Sequence, residues 1–463
     1  MEPSSGDPLF GKRLVILGMA RQGTALARFA VGAGASVTLT DMRPAEALQD
    51  TLASLADLPA ADSTKPGLRF VLGGHPFSLL DECDLLALSG GVATDSPLVV
   101  EARRRGIPLT NDSIEFMHRT PALVVGITGS AGKTTTTALV GQMGYKSDRM
   151  TWVGGNIGRP LIADLPLISA DDLVVQELSS FQLELWNQCS PPIATILNIT
   201  PNHLDRHKSM AHYIEAKGNI LRFQKPGDVA VLSADDPGSL EMVHMVRGRL
   251  RLFSAREEVT DGAFIHDGHI WLGDGSDARP LCRVNESHLI GPHNVLNVLA
   301  AVTLADSAGI PHEAIVQGIR FFDGVPHRLE MVRKFDGVQY INDSIATAPE
   351  RALAALAAFD EPIILLAGGR DKDMIWDEWA RQVGRRVKHV VLFGELAPLL
   401  AIRLGNGTPF TQVETMAEAV AMAQAEAAAG DVVLLSPGGT SFDAYSDFVE
   451  RGEHFRHLVR EME

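Results

Sequence analysis

Gly126-Ile127-Thr128-Gly129-Ser130-Ala131-Gly132-Lys133-Thr134-Thr135 follows the apolar run Ala122 to Val125 and opens a helical pattern. A strand, a glycine loop and a helix in that order bring backbone N–H groups and a positive helix end to one place, where phosphate is cradled. In such a loop the Lys133 ammonium would reach β- and γ-phosphates and the Thr134 hydroxyl would ligand Mg²⁺. The backbone of Gly129, Ser130, Ala131, Gly132 and Thr135 would line the anion. The strict spacing wants a glycine where Ile127 stands; glycines at 126 and 129 take its place, and the Gly-Lys-Thr-Thr core is intact. Nucleoside triphosphate binding is the expectation.

The same alternation of short β-rich runs with longer helical patterns extends outward on both sides, the signature of α/β units with parallel sheets. Upstream, strands are predicted at Arg13–Leu17, Ser36–Thr40 and Leu85–Ser89, with a helix from Thr24 to Ala33. Downstream, the pattern predicts strands at Leu173–Gln176 and Ala194–Ile199, then a hairpin-rich stretch from about Asp228 to Cys282 and a helix over Asn294–Ala308. After Gly324-Val325-Pro326 a third series begins, with strands at Val338–Ile341, Ile363–Ala367, Val390–Phe393 and Val432–Leu435. At roughly 100–200 residues per domain, the length of 463 suits three domains. The expected division is 1–118, 119–324 and 325–463: a Rossmann-like amino-terminal domain, a central P-loop ATPase-like domain with a parallel sheet, and a Rossmann-like carboxyl-terminal domain.

A net charge of −16 counts against nucleic acid or an anionic membrane surface as partner. No apolar run approaches the ~20 residues that cross a bilayer, and Met1 to Asp7 has neither a basic nor an apolar leader region. Three widely spaced cysteines, Cys83, Cys189 and Cys282, fit neither a disulfide framework nor a zinc site. A cytoplasmic enzyme is the expectation.

A second glycine loop, Gly18-Met19-Ala20-Arg21-Gln22-Gly23, follows the first strand, and Asp41 ends the next one. It resembles a dinucleotide fingerprint, but Ala20 stands where a glycine would admit the pyrophosphate. A tight strand-to-helix turn is the plainer reading, with an NAD-linked oxidoreductase as the alternative from another class.

Glu177 closes the strand beginning at Leu173, well placed beside a phosphate loop to hold a hard cation. The cluster Asn202, His203, Asp205, His207 has the look of a zinc site without further ligands at suitable spacing. Lys217, on an amphipathic helix, reads from its own segment as a solvated surface lysine.

Taken in order, Thr128 to Thr135, Gly154-Gly155-Asn156-Ile157-Gly158, Glu177 to Leu183, Asn198-Ile199-Thr200-Pro201-Asn202-His203-Leu204-Asp205, Gly291 to Asn297, Pro326-His327-Arg328-Leu329-Glu330 and Asn342-Asp343-Ser344 resemble the Mur ligase family. The Ser-Ser-Phe-Gln-Leu run at 179–183 and the ending Ser436 to Asp443 resemble the members that add glutamate. The resemblance implies an ATP-dependent amide ligase joining D-glutamate to UDP-N-acetylmuramoyl-L-alanine through an acyl phosphate. Its implied partners are these small molecules alone, and its implied state is a monomer. Thr134 and Glu177 would hold one Mg²⁺; His203 and Lys217, the latter as a carbamate, would hold a second. Asn294 and Asn297 would meet adenine, Arg328 and Asp343 phosphate and ribose, and Asn156 the muramoyl part. Gly18, Arg21, Asp41, Arg43 and Gly91 would contact UDP. Thr347, Lys372, Ser441 and Phe448 would grip the incoming glutamate. One position departs from the pattern: after Asn342-Asp343-Ser344 a lysine is usual and this chain has Ile345. That departure leaves a sister ligase with another amino acid, L-glutamate first, as the alternative. A folate-type ligase would not need the long first domain.

Overall fold

The structure is a computed structural model that describes residues 6–61, 66–201, 207–405 and 407–462. Three sheets organise it. The first contains β1 (Arg13–Leu17), β2 (Ser36–Asp41), β3 (Leu68–Leu72), β4 (Leu85–Leu88) and β5 (Leu109–Thr110), in the order β3-β2-β1-β4-β5 with every pair parallel. Leu14, Ile16, Val37 and Leu39 are buried, as expected where helices cover both faces of a parallel sheet and its strands read as unbroken apolar runs.

The second sheet holds β6 (Leu123–Thr128), β7 (Thr151–Gly155), β8 (Leu173–Glu177), β9 (Ile193–Ile196), β10 (Val229–Ser233), β11 (Arg249–Ser254), β12 (Asp261–His266), β13 (His269–Asp274) and β14 (Ala278–Arg283). Its order is β14-β13-β12-β11-β10-β9-β6-β8-β7. The expected hairpin-rich stretch needs correction. β10, β11 and β12 pair in parallel, and only β12 to β14 form hairpins. The helical segment Pro237–Met245 supplies the crossover between β10 and β11. At Asp267-Gly268 both residues take positive φ, which matches the twist of a two-residue hairpin turn. A second difference matters to the site. β9 stops at Ile196, so Leu197 to Ile199, which the pattern predicts as strand, lie beyond it.

The third sheet contains β15 (Glu330–Phe335), β16 (Val338–Asn342), β17 (Ile363–Gly368), β18 (Val387–Phe393), β19 (Phe410–Gln412) and β20 (Val432–Gly438), in the order β15-β16-β20-β17-β18-β19. Only β15 is antiparallel to its neighbour, joined through another Asp-Gly turn at 336–337. The chain divides into two compact units: residues 1–286 with 296–320, and residues 287–295 with 321–463. The first two sheets thus share a unit. Asn111 Nδ2 donates to the Gln182 carbonyl at 2.9 Å and Trp186 Nε1 to Ser113 Oγ at 2.9 Å, holding them together.

Candidate active site

β6 ends at Thr128, and the helix Lys133–Tyr145 begins after Gly132, whose φ of +82° favours glycine. A Cβ on Gly132 would stand 2.2 Å from Asn297 Oδ1, so the close approach of Asn297 to the loop needs glycine as well. No side chain caps this helix, and the N–H groups of its first turn point out of its end, toward any bound anion. Lys133 Nζ curls back over the loop, donating to the carbonyls of Gly129 at 2.9 Å and Ser130 at 3.3 Å.

β8 pairs beside β6 with Glu177 opposite Ile127, which puts the carboxylate at the mouth of the loop. Glu177 is 1% exposed. Its Oε1 accepts from Asn156 Nδ2 at 2.9 Å, whereas Oε2 is buried with no hydrogen-bond partner among the described residues. A buried carboxylate oxygen left without a donor is costly, and a divalent cation satisfies it. Mg²⁺ therefore fits the residues present. Gly155 makes the approach possible: its φ is +109°, and a Cβ there would lie 2.4 Å from the Glu177 carbonyl oxygen. Asn156, expected at the muramoyl group, lies against Glu177.

Lys217 is not a surface residue. The helix Met210–Arg222, capped by Ser209, buries it to 1% exposure. Its Nζ donates to the Gly129 carbonyl at 2.8 Å and to Thr128 Oγ1 at 3.3 Å, and lies 4.7 Å from the centre of the Tyr213 ring. Burial first, and the charge of Lys133 second, hold this amine well below the usual lysine range, with Glu177 acting in the opposite sense. The neutral amine, the form that reacts with CO₂, is thereby favoured. His203 falls outside the described residues, together with Asn202 and Asp205. His207 is buried, its Nε2 2.9 Å from Ser180 Oγ and its ring stacked on Phe181. Among the described residues no group of three or more His, Cys, Asp and Glu side chains could hold a metal.

In the first sheet, Gly18, Asp41 and Gly91 follow the carboxyl ends of β1, β2 and β4, and β1 and β4 flank the point where strand order reverses. Gly18 has φ +93°, and a Cβ on it would stand 3.0 Å from Ser89 Cβ. Both Asp41 oxygens are engaged: Arg43 Nε and Nη2 donate at 2.9 Å each, and the Met19 N–H donates at 2.8 Å. Arg43 holds this carboxyl well below its ordinary range. The acid of a dinucleotide fingerprint thus already has partners from its own chain. Arg21 Nη1 donates to the Gly158 carbonyl at 3.0 Å.

In the second unit, Asp343 with Thr347, Lys372 and Ser441 follow the carboxyl ends of β16, β17 and β20. Asp343 accepts from Ser436 Oγ at 2.9 Å and from the Leu329 N–H at 3.2 Å; burial pushes it up to about 7. The Gly438 N–H donates to the Ala346 carbonyl, and Arg370 and Thr440 exchange backbone bonds of 2.8 and 3.0 Å. These contacts bring the loops of Thr347, Lys372 and Ser441 together. Lys372 Nζ lies 5.3 Å from the Phe442 ring centre, and the Phe448 carbonyl accepts from Ser344 Oγ at 2.8 Å. Asn294 Nδ2 donates to the Ile290 carbonyl at 2.7 Å. Arg328 lies close enough to Asp343 to oppose the rise of its carboxyl. Sequence reasoning missed Arg451. It is fully buried, donating to Ser344 Oγ at 3.0 Å, the Ser344 carbonyl at 2.8 Å and the Gly439 carbonyl at 3.1 Å. Nothing in its helix marked it, because the residues it joins lie about 107 and 12 positions away.

A parallel α/β protein with a lysine-bearing phosphate loop, an adjoining cation-ready carboxylate and a buried lysine belongs to the class of phosphate-loop nucleotide-binding proteins. Three family models match along the chain: Mur ligase MurD-like, N-terminal domain, over residues 12–111; Mur ligase middle domain, over 127–305; and Mur ligase, glutamate ligase domain, over 327–439. The chain belongs to the Mur ligase family. It is 42% identical over 453 residues to a UDP-N-acetylmuramoylalanine–D-glutamate ligase of Symbiobacterium thermophilum, covering 97% of this chain and 98% of that one. A relative of the same description from Pelotomaculum thermopropionicum is 40% identical, with 97% of each chain covered. Among solved structures, MurF from Acinetobacter baumannii superposes with a TM-score of 0.59 at 17% identity, covering 97% of this chain and 93% of that one. UDP-N-acetylmuramate–alanine ligase MurC from Thermotoga maritima gives 0.56 at 20%, covering 97% and 99%. These last two likenesses are of fold.

Proposed function

We propose that this protein is an ATP-dependent ligase that adds D-glutamate to UDP-N-acetylmuramoyl-L-alanine in cytoplasmic peptidoglycan precursor synthesis. The observation that carries the reading is one buried cluster at the phosphate loop: Lys133 and Lys217 both donate to the Gly129 carbonyl, and Glu177 Oε2 is buried with no hydrogen-bond partner among the described residues. The two relatives that match over nearly the whole chain are D-glutamate ligases, which supports this reading.

In this reading residues 1–118 bind the UDP moiety, 119–324 bind ATP, and 325–463 bind the amino acid. Lys133 exchanges the Gly129 carbonyl for β- and γ-phosphate oxygens, while the first-turn N–H groups meet the same anion. Thr134, Glu177, His203 and Lys217, the last carrying a carbamate, hold Mg²⁺ at two sites. When bound, Mg²⁺ supplies positive charge to the transferring phosphoryl group. Asn156 keeps Glu177 Oε1 occupied, so Oε2 is the oxygen that would hold the cation. Asn294 and Asn297 are assigned to adenine, Arg328 and Asp343 to phosphate and ribose. Lys372 and the hydroxyls of Thr347 and Ser441 suit the two carboxylates of glutamate, with Phe448 beside them. Ile345 favours one second reading, a sister ligase whose preferred amino acid is L-glutamate. The protein is proposed to act as a monomer, and among the described residues no helix is long and apolar enough to cross a membrane.

Trapping tests the chemistry. With ATP, Mg²⁺ and UDP-N-acetylmuramoyl-L-alanine but no amino acid, hydroxylamine should yield the hydroxamate of the alanyl carboxylate. Absence of hydroxamate, with ADP still released, would remove the acyl phosphate from the account.

A further inference from the structure

Two segments far apart in sequence are fastened by a reciprocal set of bonds. The Asn198 side chain pairs with the backbone of Ala131: Oδ1 accepts the Ala131 N–H at 2.8 Å and Nδ2 donates to its carbonyl at 3.2 Å. In return the Ser130 hydroxyl pairs with the backbone of Thr200, accepting the Thr200 N–H at 2.9 Å and donating toward its carbonyl at 3.0 Å. The Ser130 N–H donates to the Asn198 carbonyl at 3.0 Å, and Tyr213 Oη lies 2.9 Å from Ser130 Oγ. Side chain to backbone, each segment thus grips the other, just where β9 has ended and the chain is free to turn toward the loop.

The N–H groups of Ser130 and Ala131 therefore already have acceptors within the protein, and so does the Ser130 hydroxyl. In a phosphate loop every N–H aimed at the anion counts, and one pointing elsewhere belongs to the scaffold. A carboxamide paired to both polar atoms of one peptide unit also fixes that unit's orientation, as a strand neighbour would. We propose that Asn198 and Ser130 are positioning residues that lock the phosphate loop in its nucleotide-binding shape, and that phosphate is met from Gly132 onward and not by Ser130 or Ala131. This inference rests on the nucleotide-binding reading of the site. It makes Ser130 a fastener although its place in the loop suggested a ligand.

ADP affinity of the full chain, measured by calorimetry with Mg²⁺, tests it together with steady-state kinetics. Asn198→Ala and Ser130→Ala should each weaken ADP at least tenfold and raise the ATP KM to match, while kcat at saturating ATP stays within about threefold of the parent. Opening either half frees the loop, so the double variant should be no more than about twofold weaker than the worse single one. Asn198→Asp keeps the acceptor for the Ala131 N–H and loses the donor, giving a milder variant if alanine does not fold; it should weaken ADP at least threefold. Loss of ADP affinity in Ser130→Ala alone, with both Asn198 variants unchanged, would make Ser130 a direct ligand and overturn the proposal. Variants that lose kcat while keeping ADP affinity would overturn it too. A parent protein that binds no ADP would defeat the nucleotide reading itself, and this inference with it; a parent that binds while every variant matches it would defeat the inference alone.

Discussion

Lys217 shows how far a single residue is readable. Its segment, Tyr213-Ile214-Glu215-Ala216-Lys217, has the pattern of a half-exposed helix, and only the family resemblance pointed inward. The partners that meet its buried Nζ, the Thr128 hydroxyl and the Gly129 carbonyl, lie far away in sequence, where no local pattern displays them. If the neutral amine carries a carbamate, Lys217→Ala should lose activity about a hundredfold or more, the size of removing one group that stabilises developing charge. Formate or acetate should restore part of it, and Lys217→Arg should not help. Full activity in either variant, read as ADP release, would return Lys217 to a structural role. Asp343 carries a pH signature. Its ordinary value is 3.8 and burial raises it to about 7, so the folded protein holds this proton more tightly than the unfolded chain. That contribution to stability is complete below about pH 4 and is lost as pH rises through 7. Asp343→Asn removes the titration, so the melting temperature of the parent relative to the variant should fall between pH 5 and pH 8. A difference that stays level with pH would contradict this.

Whole elements were legible where burial is two-sided. β1, β6, β17 and β20 are unbroken apolar runs, and each was located within a residue or three of its observed end. Strands that depend on partners were not. β7, Thr151-Trp152-Val153-Gly154-Gly155, ends in two glycines that weaken any strand pattern, yet Gly155 allows the close passage of Glu177 and Gly154 that of the Arg159 carbonyl. Hairpins were over-read because β10, β11 and β12 are as short as hairpin strands while their crossovers are compact. At this scale the proposed amino-acid site is a meeting of loops from β16, β17 and β20, held by backbone bonds such as that between Arg370 and Thr440. Lys372 lies over the Phe442 ring. Lys372→Ala should raise the glutamate KM about tenfold or more and leave ADP affinity within twofold, because it removes a charge-assisted partner of one carboxylate. An unchanged glutamate KM would take Lys372 out of the site. Arg451 was invisible for the opposite reason to β7: its helix is regular, and its three acceptors lie on other elements.

For the molecule as a whole, alternation of strand and helix is enough to give three largely parallel α/β sheets, and two glycine loops are enough to pose the choice between nucleoside triphosphate binding and an NAD-linked oxidoreductase. The structure weighs on that choice through Asp41, whose two oxygens are taken by Arg43 and Met19, and through Glu177, whose Oε2 has no partner among the described residues. Which amino acid enters is written less plainly, since Ile345 stands where the pattern has a lysine, and side-chain identity alone does not fix the stereochemistry of a ligand. The most direct test of the central claim is therefore ADP release by the purified protein with Mg²⁺, ATP and UDP-N-acetylmuramoyl-L-alanine, offered D-glutamate, L-glutamate, L-alanine and meso-diaminopimelate in turn, with the product identified by mass. D-glutamate should give the highest kcat/KM and a product heavier by one glutamyl residue, with no turnover when the UDP substrate or Mg²⁺ is left out. Best turnover with any of the other three, or ADP release that ignores the amino acid, would contradict the account.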